Sequence, residues 1–215
     1  GCNTTAVKDG DSWLINGSKA FVLNGGPLAG FYIVLCKTDP DAEIPGQSLS
    51  TILVEAHCEG VSTVDVGNRL GSRLLYLSHV DFNNVRVPLE NLIGGENQGL
   101  SQVVDFLNQS RLLVASLAVG TAQGAFDRAF EYVKQREQFG QKLIDFQITR
   151  HKLAEMITAI ETARLMVFQG VQACEKDKGA AKFCTMAKFV ATQAAMKTTD
   201  HAIQLLGGYG YVDEY

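Results

Sequence analysis

The 215 residues of this chain, 46% of them hydrophobic, are enough to bury a complete core as one large domain or two small ones. The 19 basic and 23 acidic residues give a formal net charge of −4, which offers no basic field for nucleic acid. The uncharged run from Leu112 to Phe126 is too short to span a bilayer, so we expect no membrane helix there.

From Cys2 to about Pro88 the pattern is typical of short strands and turns. The dipeptides Asp9-Gly10 and Asn16-Gly17 favour hairpin turns on either side of a short apolar run. Strand candidates lie at 13–15, 20–23, 31–35, 49–54, 61–66 and 77–87. Because no helical pattern separates these strands, the sequence predicts an antiparallel sandwich or barrel.

Beyond Pro88 and the Gly94-Gly95 pair, apolar residues recur at helical spacing. Three helices are predicted, at roughly 99–136, 146–176 and 181–206. The short loops at 140–145 and at Lys178-Gly179 imply antiparallel neighbours in a bundle. We therefore expect an α+β chain with a β-domain at 1–92 and a helical bundle at 93–215. Both are expected to be incomplete, in a segment of a longer protein.

The corner between the first two helices, Arg136-Glu137-Gln138-Phe139-Gly140, allows two interpretations. It is either a helix C-terminus, with Arg136 at the negative end of the dipole and Gly140 as a left-handed cap, or an anion site. In the second interpretation Arg136 points outward to hold a group such as phosphate.

Gly120 and Gly124 on the first predicted helix also allow two interpretations. Their small size either lets another helix pack closely or leaves room for a flat ring or an acyl chain.

Several other kinds of site find no support in the sequence. The four histidines show no metal spacing, and the Glu-x-x-His signature of di-iron bundles does not occur, so we expect no metal site. Neither a Gly-x-Ser-x-Gly nucleophile elbow nor a dinucleotide-binding glycine fingerprint between strand and helix is found. The five cysteines are scattered, as is typical of free thiols in a reducing compartment; a nucleophilic cysteine stays open, although nothing singles one out.

Three motifs occur in order in the second half of the chain. They are Arg136-x-x-Phe139-Gly140, then Phe146-Gln147, then Gln204-x-Leu206-Gly207-Gly208-x-Gly210-Tyr211. Each is weak alone, but the ordered set resembles the acyl-CoA dehydrogenase family of flavoproteins, and the resemblance covers nearly the whole chain. It implies FAD as the cofactor.

The resemblance also implies roles for particular residues. Phe21, Val22 and Leu23 would face the flavin of their own subunit, although Leu23 lacks the hydroxyl that the family usually has there. The residues implied to hold the pyrophosphate and adenosine part of a neighbouring subunit's FAD are Arg136, Gln138, Gln204, Gly207 and Gly208. Phe139 and Gln147 belong to the same cofactor motifs. A homo-oligomer follows, expected to be a dimer of dimers.

On the substrate side, the resemblance places Asn108, Ser110 and Arg111 near the thioester and CoA. One branch of the family has its catalytic glutamate immediately before this arginine, where the present chain has Ser110. A hydroxyl is too weak a base to take a proton from carbon. We therefore assign no catalytic residue, expect the usual glutamate beyond Tyr215, and expect this segment alone to be inactive.

The activity implied is FAD-dependent α,β-dehydrogenation of an acyl-CoA in fatty acid metabolism, with electrons leaving through an electron-transferring flavoprotein. The implied location is a bacterial or archaeal cytoplasm, which we favour, or the mitochondrial matrix. Two alternatives remain open. One is a non-catalytic scaffold on the same fold that has lost its cofactor, as the missing hydroxyl at Leu23 allows. The other is a flavin oxidase or monooxygenase of the same superfamily.

Overall fold

The structure, a computed structural model, describes residues 2–176 and 180–214. Contacts within the chain divide it into two compact units, Gly1–Val104 and Asp105–Tyr215. The division falls inside the first long helix, because α1 spans Gly99–Gln135. The expected domain limits, 1–92 and 93–215, stay a prediction.

Six strands of the first unit form one mixed sheet. They are β1 Thr5–Asp9, β2 Ser12–Leu23, β3 Phe31–Lys37, β4 Leu49–Glu55, β5 Val61–Asp65 and β6 Leu77–Pro88. The strand order is β4-β3-β1-β2-β6-β5. Neighbouring strands are antiparallel except β1 and β3, which pair in parallel through Thr5 and Lys37. The expected α+β class is confirmed, but within the described residues the sheet is open and mixed rather than a closed antiparallel barrel.

The core of this unit lies on one face of the sheet. Along β3, Tyr32, Val34 and Cys36 are buried, whereas Phe31 and Ile33, which alternate with them, are exposed. This alternation follows from the two-residue period of a strand, which sends successive side chains to opposite faces. Trp13 and Ile15 of β2 belong to the same buried cluster. The alternating pattern of the sequence therefore gives each strand one buried face.

The two predicted hairpin turns have different outcomes. Gly10, with φ +61°, lies in the turn between β1 and β2, as expected. The turn predicted at Asn16-Gly17 is wrong, because β2 continues through it with a register shift against β6. At Gly17, where φ is +134°, a Cβ would lie 2.6 Å from Cα of Thr4. Glycine is needed there because another part of the backbone comes close, not because the chain turns.

Three long helices dominate the second unit, and their limits agree with the predicted ones to within one or two residues. They are α1 Gly99–Gln135, α2 Gln147–Glu175 and α3 Ala180–Leu206. The loop predicted at Lys178-Gly179 lies outside the described residues. Small residues bring the helices together, since Ala122, Ala163 and Ala191 of the three helices share one buried cluster. None of the described helices is long and apolar enough to cross a bilayer.

Candidate functional site

The corner after α1 is a small β-hairpin. Strand β7 spans Glu137–Gln138 and strand β8 spans Gln141–Lys142. Phe139 and Gly140 form the turn with φ values of +56° and +81°, the positive pair that a two-residue type I′ turn requires. The left-handed conformation predicted for Gly140 is confirmed. Its predicted role as a helix cap is wrong, because the residue closes a hairpin instead.

This hairpin is tied back to the helix through the backbone of Arg136. The Arg136 N–H donates to the Tyr132 carbonyl at 2.9 Å, which completes the last turn of α1. Its own carbonyl accepts a hydrogen bond from the Leu143 N–H at 2.9 Å, beyond β8. Both backbone groups of Arg136 are therefore fixed, so the start of its side chain has a defined position.

A glycine-rich turn follows α3. Gly207, at φ +60°, comes directly after the last helical residue, in the left-handed conformation common at helix C-termini. The chain then continues as a short 3-10 helix, Gly207–Tyr211. At Gly210 a Cβ would lie 2.5 Å from the Ile203 carbonyl oxygen, so the segment lies close against α3. By contrast, a Cβ at Gly207 or Gly208 would meet no atom within 4 Å, and the backbone there is accessible.

A cavity of about 740 Å³ lies between the hairpin and this turn. The predicted cofactor residues on its wall are Arg136, Gln138, Gln204, Gly207 and Gly208. The structure thus brings together five residues that are far apart in sequence, although their role in binding stays a prediction. Phe139 and Gln147 do not line it; Phe139 is 92% exposed on the hairpin, and Gln147 begins α2.

The wall of this cavity has a defined electrostatic character. Among the described residues, the guanidinium of Arg136 makes no ion pair or hydrogen bond, which leaves its donors available to a ligand. The carboxylates of Asp213 and Glu214 also line the cavity. Leu143 and Leu206 contribute apolar surface. Arg136 and the accessible glycine backbone form the part of the wall that suits an anionic group, the leucines suit a flat or apolar group, and the two acidic residues suit hydrogen-bond donors.

Sequence reasoning missed several residues of this wall. Tyr132 lies one helical turn before Arg136 on α1, a spacing that could have identified it. Its ring is in edge contact with Tyr209, with centroids 6.1 Å apart. A second cavity of about 490 Å³, lined among others by Arg128 and Glu131, shares Tyr132 and Glu214 with the first. Glu214 is therefore a wall residue of both cavities.

The strand segment Phe21 to Leu23 ends β2 in an irregular conformation. Phe21 has φ +54° at a register shift between Lys19 and Val22, so the backbone bulges there. Its ring makes an edge contact with His79, with centroids 5.3 Å apart, and is 65% exposed. Val22 packs against the sheet core, whereas Leu23 is exposed. This strand end therefore presents two apolar side chains outward.

The three residues predicted on the substrate side form a polar patch on α1. Nη1 of Arg111 donates to Oδ1 of Asn108 at 2.6 Å, and both residues are half-buried. The Ser110 hydroxyl donates to the Leu107 carbonyl at 3.1 Å, so its proton is engaged with the backbone. A Cβ at Gly120 or Gly124 would meet no atom within 4 Å, so no described element packs closely against them.

Comparison with known proteins gives a consistent result along the whole chain. Residues 1–85 match the acyl-CoA dehydrogenase middle domain, and residues 97–215 match the acyl-CoA dehydrogenase C-terminal domain. The caffeyl-CoA reductase-Etf complex subunit CarC of Acetobacterium woodii is 38% identical over all of this chain and 56% of its own length. Cyclohexane-1-carbonyl-CoA dehydrogenase of Syntrophus aciditrophicus is 38% identical over 99% of this chain and 54% of its own length.

A solved structure agrees with these relatives. Butyryl-CoA dehydrogenase from Megasphaera elsdenii superposes with a TM-score of 0.95 at 35% identity, over 100% of this chain and 56% of that protein. The chain thus spans about half the length of the curated relatives it matches. With both domain matches in sequence order, the chain belongs to the acyl-CoA dehydrogenase family.

Proposed function

We propose that the protein containing this chain is an FAD-dependent dehydrogenase that introduces a double bond between the α and β carbons of an acyl-CoA thioester. The observation that carries this proposal is the cavity where Arg136, without a partner among the described residues, faces the accessible glycines 207 and 208. Bound FAD would supply the capacity to accept a hydride from the β carbon, which is chemistry that no side chain of the chain supplies.

The cavity fits the pyrophosphate and adenosine part of FAD. Its volume of about 740 Å³ is within the range of roughly 300–1,000 Å³ common for small-molecule sites. Arg136 supplies a fixed fork of donors for a phosphate, and the backbone at Gly207 and Gly208 admits an anion without hindrance from a Cβ. The carboxylates of Asp213 and Glu214 suit hydroxyl groups rather than phosphates.

We propose that this cavity receives the FAD of a second copy of the chain, while the flavin ring of the chain's own FAD lies against Phe21, Val22 and Leu23. The exposed Phe21 ring and Leu23 side chain supply an apolar surface for a flat ring. Backbone groups of Val22 and Leu23 would hydrogen-bond to the ring. A homo-oligomer follows from this arrangement, and we propose a dimer of dimers.

On the substrate side, we propose that Arg111 and Asn108 position the thioester and CoA end of the acyl-CoA. Their 2.6 Å hydrogen bond fixes the guanidinium, which reduces the entropy lost on binding. Ser110 is not the base, because its hydroxyl already donates to a carbonyl and is far too weakly basic. A glutamate must remove the α-proton, and we assign that role to no residue of this chain.

We propose an electron-transferring flavoprotein as the electron acceptor. The name of the Acetobacterium relative, a subunit of an Etf complex, supports a partner of this kind. A bacterial or archaeal cytoplasm is the favoured location, with the mitochondrial matrix as the alternative.

Anaerobic titration of the full-length protein with a panel of acyl-CoAs tests the proposal. Bleaching of a yellow flavin spectrum by at least one acyl-CoA, with formation of the enoyl-CoA, is the expected result. A colourless protein that cannot be reconstituted with FAD would instead favour a cofactor-free scaffold, the reading that Leu23 keeps open. Rapid reoxidation by oxygen, without need of an electron-transferring flavoprotein, would favour an oxidase or monooxygenase.

A further inference from the structure

Two thiols meet where the C-terminal end of α2 contacts the N-terminal part of α3. Cys174 is the second-last residue of α2, and Cys184 lies in the first turns of α3. Their sulfur atoms are 3.4 Å apart, close enough to share a hydrogen bond. The other three cysteines, Cys2, Cys36 and Cys58, lie in the first unit.

The two thiols differ in their access to solvent. Cys184 is fully buried in the cluster shared by the three helices, whereas Cys174 is half-buried at its edge. Burial, followed by the neighbouring Cys174, raises the pKa of Cys184 to about 11, and the charge of Arg111 only partly opposes this shift. Cys184 is therefore a protonated thiol at neutral pH, and a reagent from solvent reaches Cys174 first.

We propose that Cys174 and Cys184 are a reversible oxidation site that forms a disulfide between α2 and α3. The bond forms when the protein meets a hydroperoxide. Disulfide formation requires the sulfur atoms to approach by about 1.4 Å, to the S–S length of ~2.05 Å. Cys174 is the second-last residue of α2, and because helix ends fray, a small backbone or rotamer adjustment there can close this distance.

The chemistry balances in two steps. The Cys174 thiolate attacks one peroxide oxygen, the O–O bond breaks, and Cys174 becomes a sulfenic acid while the leaving oxygen takes a proton as water or alcohol. The Cys184 sulfur then attacks the Cys174 sulfur and the S–O bond breaks. The hydroxide that leaves takes the Cys184 proton to form water. Two thiols are oxidised and one hydroperoxide is reduced; a thiol reductant reverses the bond by exchange.

The bridge would join positions only ten residues apart, one in α2 and one in α3. It would therefore hold the C-terminal end of α2 against the N-terminal end of α3, where helices otherwise fray. The proposal does not depend on the proposed dehydrogenase activity, because it rests on the two sulfur atoms alone.

Peptide mapping of the oxidised wild-type protein gives the decisive test. The reduced full-length protein is treated with hydrogen peroxide, denatured, alkylated and digested with trypsin. Cleavage after Arg164, Lys176, Lys182 and Lys188 places the two cysteines on separate peptides, 165–176 and 183–188. We expect these peptides to be linked, at a mass two hydrogen atoms below their sum. Within this sequence, the five alkylated thiols fall to three, and dithiothreitol restores all five.

Variants distinguish this bridge from other oxidation. Cys174→Ser and Cys184→Ala should each abolish the linked pair, whereas Cys58→Ser, in the first unit, should leave it intact. Sulfinic acid at Cys174 with Cys184 still free, or a link only between separate chains, would overturn the proposal. Both of these contrary outcomes are measured on the wild-type protein. The test therefore remains valid even if replacing the buried Cys184 unfolds the protein.

Discussion

Arg111 donates a 2.6 Å hydrogen bond from Nη1 to Oδ1 of Asn108, one turn earlier on α1. The bond directs a half-buried cation that otherwise has several rotamers of similar energy. If Arg111 positions the CoA end of the substrate, then Asn108 acts on binding through Arg111 rather than by its own contact.

We therefore expect Asn108→Ala to raise the KM for acyl-CoA and to change kcat little. Loss of one hydrogen bond worth about 1 kcal/mol corresponds to a roughly five-fold rise in KM. Steady-state kinetics of the full-length protein measure it. Gln109→Ala, an exposed neighbour on the same helix, is the control and should behave as wild type. An equal fall in kcat with unchanged KM would show that Asn108 has a different role.

The second prediction concerns Arg136, which lines the cavity of about 740 Å³ and whose guanidinium has no partner among the described residues. Arg136→Ala should weaken FAD binding by roughly ten- to a hundred-fold, since hydrogen bonds to charged groups contribute about 1.5–3 kcal/mol. Equilibrium dialysis or flavin fluorescence measures the loss, and gel filtration measures any change of oligomer. Lys142→Ala removes a cation from the same hairpin but not from the cavity wall, and should retain FAD. Unchanged FAD affinity in a monomeric Arg136→Ala protein would contradict the shared site.

Leu23 carries a third prediction. A threonine there would restore a hydroxyl next to the flavin, and one hydrogen bond of about 0.5–1.5 kcal/mol shifts a two-electron midpoint potential by roughly 10–30 mV. Spectroelectrochemical titration of Leu23→Thr should show this shift while far-UV circular dichroism stays the same. Leu28→Thr replaces another exposed leucine of the same unit and serves as the control. An unchanged potential and FAD affinity would mean that this strand end does not face the flavin.

Gly17 allows a prediction about stability with a matched control. Gly17→Ala places a methyl group 2.6 Å from Cα of Thr4 at φ +134°, so both contact and backbone strain oppose it. Gly10→Ala is also strained, at φ +61°, but has open space around the new methyl group. We expect a cost of about 1–2 kcal/mol for Gly10→Ala, because an L-residue is disfavoured in the left-handed region, and a clearly larger one for Gly17→Ala. Urea denaturation compares them; equal costs would mean that Thr4 moves away freely.

The pH dependence of stability depends in part on Glu155. Glu155 lies on α2, and its Oε2 is 2.8 Å from Nζ of Lys197 and 3.4 Å from Nε2 of His201, both on α3. The hydrogen bond from Lys197, followed by that from His201, lowers the pKa of Glu155 below its ordinary value of 4.5. A lowered pKa contributes stability above the unfolded-state value, and this contribution disappears as the pH falls through the folded-state value.

Glu155→Gln should therefore lower the Tm at neutral pH, and the difference from wild type should vanish in acid. Thermal melts at a series of pH values measure this. Glu161→Gln is the control, because among the residues that the structure describes this carboxylate pairs only with Arg164 of its own helix. A difference that persists unchanged in strong acid would show that Glu155 acts through packing rather than through its charge.

The helices were predictable because their signal is long and local. Apolar residues repeat over several turns, so an error of one residue at either end does not alter the assignment of α1, α2 or α3. The prediction of a turn at Asn16-Gly17 was wrong because its signal was only two residues long and the role of the glycine depends on a distant contact. A glycine that turns a hairpin and a glycine that admits Thr4 look the same in sequence, and only the fold distinguishes them.

At the candidate site, family motifs identified Arg136 and Gly207 but not the whole wall. Tyr132 could have been found from its spacing to Arg136, but Asp213 reaches the cavity only because the segment after α3 lies next to the end of α1, and no local pattern indicates that. The hairpin at Phe139-Gly140 could not be predicted from local sequence, because it is fixed by the hydrogen bond from the Leu143 N–H to the Arg136 carbonyl, which forms only in the folded chain. The contact of Cys174 with Cys184 likewise depends on how two helices pack, which cysteine spacing alone does not determine.

The parallel pairing of β1 and β3 constrains the order in which the sheet assembles. The β1–β2, β3–β4 and β5–β6 antiparallel pairs join strands that follow one another in the chain, whereas Thr5 and Lys37 are separated by the whole of β2 and the segment after it. The β2–β6 pairing, which joins Ser12 to Pro88, closes a longer stretch still. Contacts of such separation slow folding, so the three local pairs should form first and the central strand β2 should gain its second neighbour last. Misfolding would then begin with the unpaired edge of β2, the strand that in the finished sheet lies between β1 and β6.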